Sequence, residues 1–175
     1  MSALTLDHIL ALFEEYVRQT GQRLDVLLIG RLALYAYGSS EAQTDDVDAE
    51  LKQDVERVGA FLKQHGIPSN LSENISGWSI VSLPPGYRDR AKALHERENL
   101  YVAVLEPADF IISKLRRGTD QDFADAEFVA HRYGVTPQAI QDAADAALAA
   151  SPKDTALFVF RKAVVLFLQR LAQQA

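Results

Sequence analysis

A chain of 175 residues without cysteine has room for one well-buried domain and excludes disulfides and thiolate-bound metals. Its 24 acidic residues against 18 basic ones leave a formal charge of −6, which argues against nonspecific nucleic-acid binding over the whole surface. No apolar run reaches the roughly 18 residues of a membrane span, and the start, MSALTLDHIL, lacks signal-peptide character, so a cytoplasmic protein is expected.

Thr5 can cap a helix running to about Thr20, with Leu6, Ile9, Leu10, Phe13, Tyr16 and Val17 at helical spacing, and Gly21 ends it. Val26-Leu27-Leu28-Ile29 is apolar on both faces, as a central strand is. Gly30 closes that strand and opens a short helix from Arg31 to about Tyr37, where free backbone N–H groups favour a phosphate.

After Gly38-Ser39-Ser40 a second strand is expected, on which Val47, Ala49 and Leu51 alternate with Asp46, Asp48 and Glu50. Side chains at i and i+2 of a strand point the same way, so the acids share a face, roughly 6–7 Å apart along it. Asp46 and Asp48 can therefore converge on one Mg²⁺, or on a metal pair about 3.5–4 Å apart. The bland alternative is a solvated strand face, but three carboxylates in a row repel one another unless a cation is present. Asp45 points the other way and reads as turn chemistry, and Thr44 is either a turn hydroxyl or a phosphate contact.

Residues 53–65 form an amphipathic helix through Val55, Val58, Phe61 and Leu62. A strand is expected from Ile75 to Leu83, with Trp78, Ile80 and Val81 packing, and Pro84-Pro85-Gly86 terminates it. Tyr87-Arg88-Asp89-Arg90 reads as a charged loop, either solvated or clamping a polyphosphate or RNA. Leu100 to Leu105 is a further core strand. Glu106-Pro107-Ala108-Asp109 starts a helix that carries Lys114 on an otherwise apolar face, and Asp120 to Asp125 opens the next. An ion pair of Lys114 with Asp122 or Asp125 is the structural reading of those charges. Helices follow from Thr136-Pro137 to about Ala149 and from Ser151-Pro152 onward; the last has a broad apolar stripe suited to core or dimer surface. His8, His65, His95 and His131 have no metal-like spacing and read as surface or packing residues.

The pattern I-G-x-x-A-L-x-x-Y-G followed by T-D-D-V-D resembles the nucleotidyltransferase superfamily, and more narrowly its small bacterial toxin-like (abortive-infection) members and related proteins. P-x-D-x-I-x-x-K-L-x-R followed by D-x-x-D is a second point of resemblance. It implies an α/β (α+β) fold, a small mixed sheet flanked by helices with a helical C-terminal part, in a single domain over 1–175 with its core at about 24–133 and terminal helices at about 136–173. It further implies that Asp46 and Asp48 hold Mg²⁺ or Mn²⁺, that Gly30 takes the first glycine position of the phosphate turn, and that Lys114 reaches the nucleotide with Asp122 or Asp125 near it. Arg31 stands where the family usually has Gly or Ser, either crowding the phosphate path or binding phosphate itself. No acid lies on the 75–83 stretch, where a third carboxylate is expected, so Glu50 is the substitute candidate.

The function expected is transfer of a nucleotide from an NTP to an RNA, protein or small-molecule hydroxyl, with a cognate antitoxin or a second copy as partner. The alternative is a noncatalytic protein of this fold that binds a nucleotide or a protein, favoured by Arg31 and the missing third acid.

Overall fold

The computed structural model describes residues 4–174. Two compact units alternate along the chain: the first closes at Ile75 and resumes over Ala91–Leu105, and the second takes Ser76–Arg90 and the chain from Glu106 on.

The first unit opens with α1 (Leu6–Thr20), capped by the Thr5 hydroxyl, which accepts the His8 N–H at 3.3 Å. The apolar spacing turns Ile9, Leu12, Phe13 and Tyr16 inward, each worth about 1.5–3 kcal/mol of burial. Then come β1 (Leu24–Leu28), α2 (Leu32–Ala36), β2 (Val47–Leu51), α3 (Val55–Gln64), β3 (Ser69–Ser72), β4 (Lys92–Arg97) and β5 (Leu100–Val104). The strands make one mixed sheet in the order β3-β2-β1-β5-β4. β1 at its centre pairs antiparallel with β2 and parallel with β5, and β2 pairs parallel with β3. Val26, Leu28, Val47, Ala49, Leu51, Val102 and Val104 are buried, which is why β1, β2 and β5 stay in the sheet interior.

The second unit contains α4 (Tyr87–Arg90), α5 (Pro107–Leu115), α6 (Asp120–Tyr133), α7 (Pro137–Ala150) and α8 (Leu157–Gln173). α5 packs with α6, α7 and α8; Phe110, Ile112, Phe123, Ile140 and Phe167 are buried there, and the Phe123 and Phe167 rings stack at 6.0 Å. The fold is mixed α/β, as the sequence implies. Among the described residues no helix is long and apolar enough to cross a membrane.

Four local expectations are corrected. The strand expected over 75–83 is absent: Ile75–Trp78 is a 3₁₀ turn, and Trp78 and Ile80 are 45% and 43% exposed while Val81 is buried. Serine side chains take the backbone donors there, the Ser79 hydroxyl accepting from Val81 N–H and the Ser76 hydroxyl from Leu83 N–H, which leaves no ladder to form. The strand that does flank β2 is β3, and β4 was likewise unpredicted. Tyr87–Arg90 is a turn of helix rather than a loop, and Arg90 grips Asp109 with two 3.0 Å bonds. Ser151 ends α7 instead of starting α8, its hydroxyl donating to the Ala147 carbonyl.

Candidate functional site

The acidic face of β2 lies where β1 ends. The Ile29 N–H donates to the Asp48 carbonyl at 3.0 Å, and Gly30 then turns the chain with φ +65°. A Cβ on Gly30 would stand 2.4 Å from Asp48 Oδ2, so only glycine lets the turn lie against this carboxylate. The alternation expected of β2 holds in part: Val47, Ala49 and Leu51 are buried and Asp48 is partly open to solvent, as is Asp46 just before the strand, but Glu50 is buried too.

The two carboxylates are tied together by a residue that sequence reasoning missed. Asn70 on β3 is paired with Asp48 in the parallel register. Its Nδ2 donates to Asp48 Oδ1 at 2.8 Å and, at a longer 3.4 Å, to Asp46 Oδ2. The Thr44 hydroxyl donates to Asp46 Oδ1 at 2.7 Å. Both aspartates thus accept hydrogen bonds from neighbouring donors, which restrict their orientation. The only signal for Asn70 in the sequence was one amide in a short polar run, S-N-L-S, behind Pro68.

Glu50 lies further along the same strand, but it is buried, and its Oε2 accepts the Ile75 N–H at 2.9 Å. Arg31 precedes the five-residue α2 without capping it, and its buried Nε meets no acceptor among the described residues.

Lys114, Asp122 and Asp125 belong to the second unit, all buried. Lys114 Nζ is 2.8 Å from Asp125 Oδ2 and 3.8 Å from Asp122 Oδ1. Arg117 forks onto Asp122 with two 2.7 Å bonds, and Gln121 donates to Asp125 at 2.8 Å. Asp122 also completes a capping box with Thr119 at the start of α6. Burial pushes the Asp122 carboxyl up, but Arg117 and the Thr119 hydroxyl and N–H outweigh it and hold the group below the usual carboxylate range. The candidate residues therefore fall into two groups: Gly30, Arg31, Thr44, Asp46, Asp48 and Glu50 in the first unit, and the lysine cluster in the second.

Among the described residues no three His, Cys, Asp or Glu side chains gather into a metal cluster. The ligand set here is two carboxylates, hard oxygen donors of the kind suited to Mg²⁺ or Mn²⁺, with the Asn70 amide and the Thr44 hydroxyl donating hydrogen bonds to them. Mg²⁺ commonly takes only one or two protein carboxylates and leaves its other positions to water and substrate phosphates, so this sparse set fits such an ion.

The family described as a nucleotidyltransferase of unknown function (DUF6036) matches residues 5–135. No curated protein matches the chain.

Proposed function

The chain belongs to this nucleotidyltransferase family, and on that premise we propose that it moves a nucleotide from an NTP to a hydroxyl of an RNA, a protein or a small molecule at the Asp46–Asp48 site. The observation that carries the reading is the pairing of a glycine turn with a carboxylate pair: Gly30 against Asp48, and Asp48 linked through Asn70 to Asp46.

In this reading Asp46 and Asp48 hold Mg²⁺ or Mn²⁺. An ion held there would neutralise triphosphate charge and make the attacking hydroxyl more acidic. The N–H groups after Gly30 and the Arg31 guanidinium bind phosphate oxygens and orient the α-phosphorus for in-line attack. The acceptor hydroxyl oxygen forms a bond to that phosphorus and gives its proton to water, while the bond from the α-phosphorus to the oxygen bridging to the β-phosphate breaks and pyrophosphate leaves. Thr44 keeps the Asp46 carboxylate in place. Partners of this reading are the NTP, the acceptor, and an antitoxin or second copy; exposed Phe158, Val159, Val165 and Leu166 on α8 offer apolar surface for the last.

A second reading, binding without turnover, is favoured by the side chains beside the pair: the residue that reaches both aspartates is a neutral amide, Asn70, and the buried Glu50 carboxylate is engaged with the Ile75 N–H.

The test is a thermal melt with ATP, GTP, CTP and UTP, each with and without Mg²⁺ or Mn²⁺, followed by assay of pyrophosphate release. A ligand at about 100 times its Kd stabilises by roughly 2.7 kcal/mol, a rise of about 5–10 °C for a chain of this size. A metal-dependent rise that Asp46→Asn and Asp48→Asn each abolish, with pyrophosphate released, is expected. A rise without release selects the second reading, and unchanged binding in both variants removes the site.

A further inference from the structure

β3 runs parallel beside β2 with Asn70 paired to Asp48, and paired positions send their side chains to the same face of a sheet. The Asn70 amide therefore meets both carboxylates with its nitrogen, the end that carries partial positive charge. Weakly, it does for the pair what a cation would do. Its Oδ1 sits on the same carbon and accepts no hydrogen bond among the described residues, and the side chain is exposed. A half-turn about the terminal torsion exchanges nitrogen for oxygen without moving a packed neighbour, because that torsion is broad and roughly two-fold.

We propose that Asn70 is a two-way member of this site: its Nδ2 bridges Asp46 and Asp48 when no ion is bound, and its Oδ1 turns inward as a third oxygen ligand when a divalent cation is held there. The inference rests on the reading of Asp46 and Asp48 as the cation site. A neutral amide leaves the ion-free site with two negative charges rather than three, so the carboxylates stay close without an ion. The same neutrality weakens the grip on a free cation, whose remaining positions are then filled by the phosphates of the incoming nucleotide.

The experiment uses the full chain and titrates Mn²⁺, reading free ion by electron paramagnetic resonance and stability by thermal melt. The Asn70 side-chain NH₂ signals are followed by NMR in parallel with Mg²⁺. Asn70→Ala is expected to lose about tenfold in Mn²⁺ affinity. Asn70→Asp is expected to gain about tenfold and to melt at a lower temperature than wild type in chelator, because a third carboxylate replaces two hydrogen bonds with repulsion. The Asn70 NH₂ resonances of the wild type should shift in step with occupancy. Affinities of both variants equal to wild type, with binding lost in Asp46→Asn and Asp48→Asn, overturn the role of Asn70 and leave the aspartate site standing. Undiminished binding in those two aspartate variants overturns the site itself, and this inference with it.

Discussion

Gly30 and Asp48 touch with no space between them for even a methyl group. The missing Cβ of Gly30 would fall 2.4 Å from Asp48 Oδ2, and the backbone there has φ +65°. Gly30→Ala therefore faces two penalties, a left-handed backbone and a collision with the carboxylate. The expected cost is about 1–3 kcal/mol of stability, measured by urea unfolding. Metal binding should fall in the same variant, because Asp48 is the group that must move.

Arg31 gives a complementary variant. A charge-assisted hydrogen bond contributes about 1.5–3 kcal/mol, so Arg31→Ala should weaken triphosphate binding by about tenfold to a hundredfold. Stability should change little, since the buried Nε has no acceptor to lose. Calorimetric titration of the variant with NTP and Mg²⁺ checks this, and an unchanged Kd would assign Arg31 to packing alone.

Lys114 separates a fold-supporting charge from a substrate-binding one. Lys114→Met leaves Asp125 and Asp122 buried with less compensation, a change that costs about 3–5 kcal/mol when a buried pair is broken. Denaturant midpoints of Lys114→Met and of the double variant Lys114→Met/Asp125→Leu are the measurement. Recovery of stability in the double variant is expected if the lysine serves the ion network.

The Asp122 carboxyl carries a pH signature. Its folded-state pKa is depressed despite burial, because Arg117 and Thr119 favour the charged form. A depressed carboxylate pKa stabilises fully above the unfolded value of about 3.9, and the contribution fades as pH falls through the folded value. The stability gap between wild type and Asp122→Asn should thus be widest near neutrality and shrink below about pH 4. A gap that stays constant with pH would mean that the charge itself contributes nothing.

The parts legible in the sequence share a physical cause. β1, β2 and β5 announce themselves because interior strands are apolar on at least one whole face, and Val47, Ala49 and Leu51 fix which face of β2 carries the acids. β3 and β4 do not, because Ser69–Ser72 and Lys92–Arg97 are edge strands: hydrogen-bonded on one side only, they need few apolar side chains. Asn70 was hidden for the same reason, since its meaning lies in its register with Asp48 rather than in its neighbours along the chain. The 75–83 stretch looked like a strand from Ile75, Ile80 and Val81, and its serines decided otherwise by bonding the backbone locally. In the lysine cluster, the close ion pairing depends on where α6 places Asp122 and Asp125 against α5, which spacing along the chain does not specify.

The central strand has a consequence for how the chain is made. β1 finds β2 soon after emerging, but its other neighbour, β5, is Leu100–Val104, and between them the chain detours through Ser76–Arg90 of the second unit. Until residue 104 is synthesised, the inner edge of β1 (Leu24, Val26 and Leu28 among its residues) has no hydrogen-bonding partner in the sheet. A nascent chain in that state presents an apolar strand edge to any other extended segment nearby. The loop to be closed is long, so the parallel pairing is a late and slow event. The vulnerable period of this protein is therefore its own synthesis, and it ends when β5 arrives.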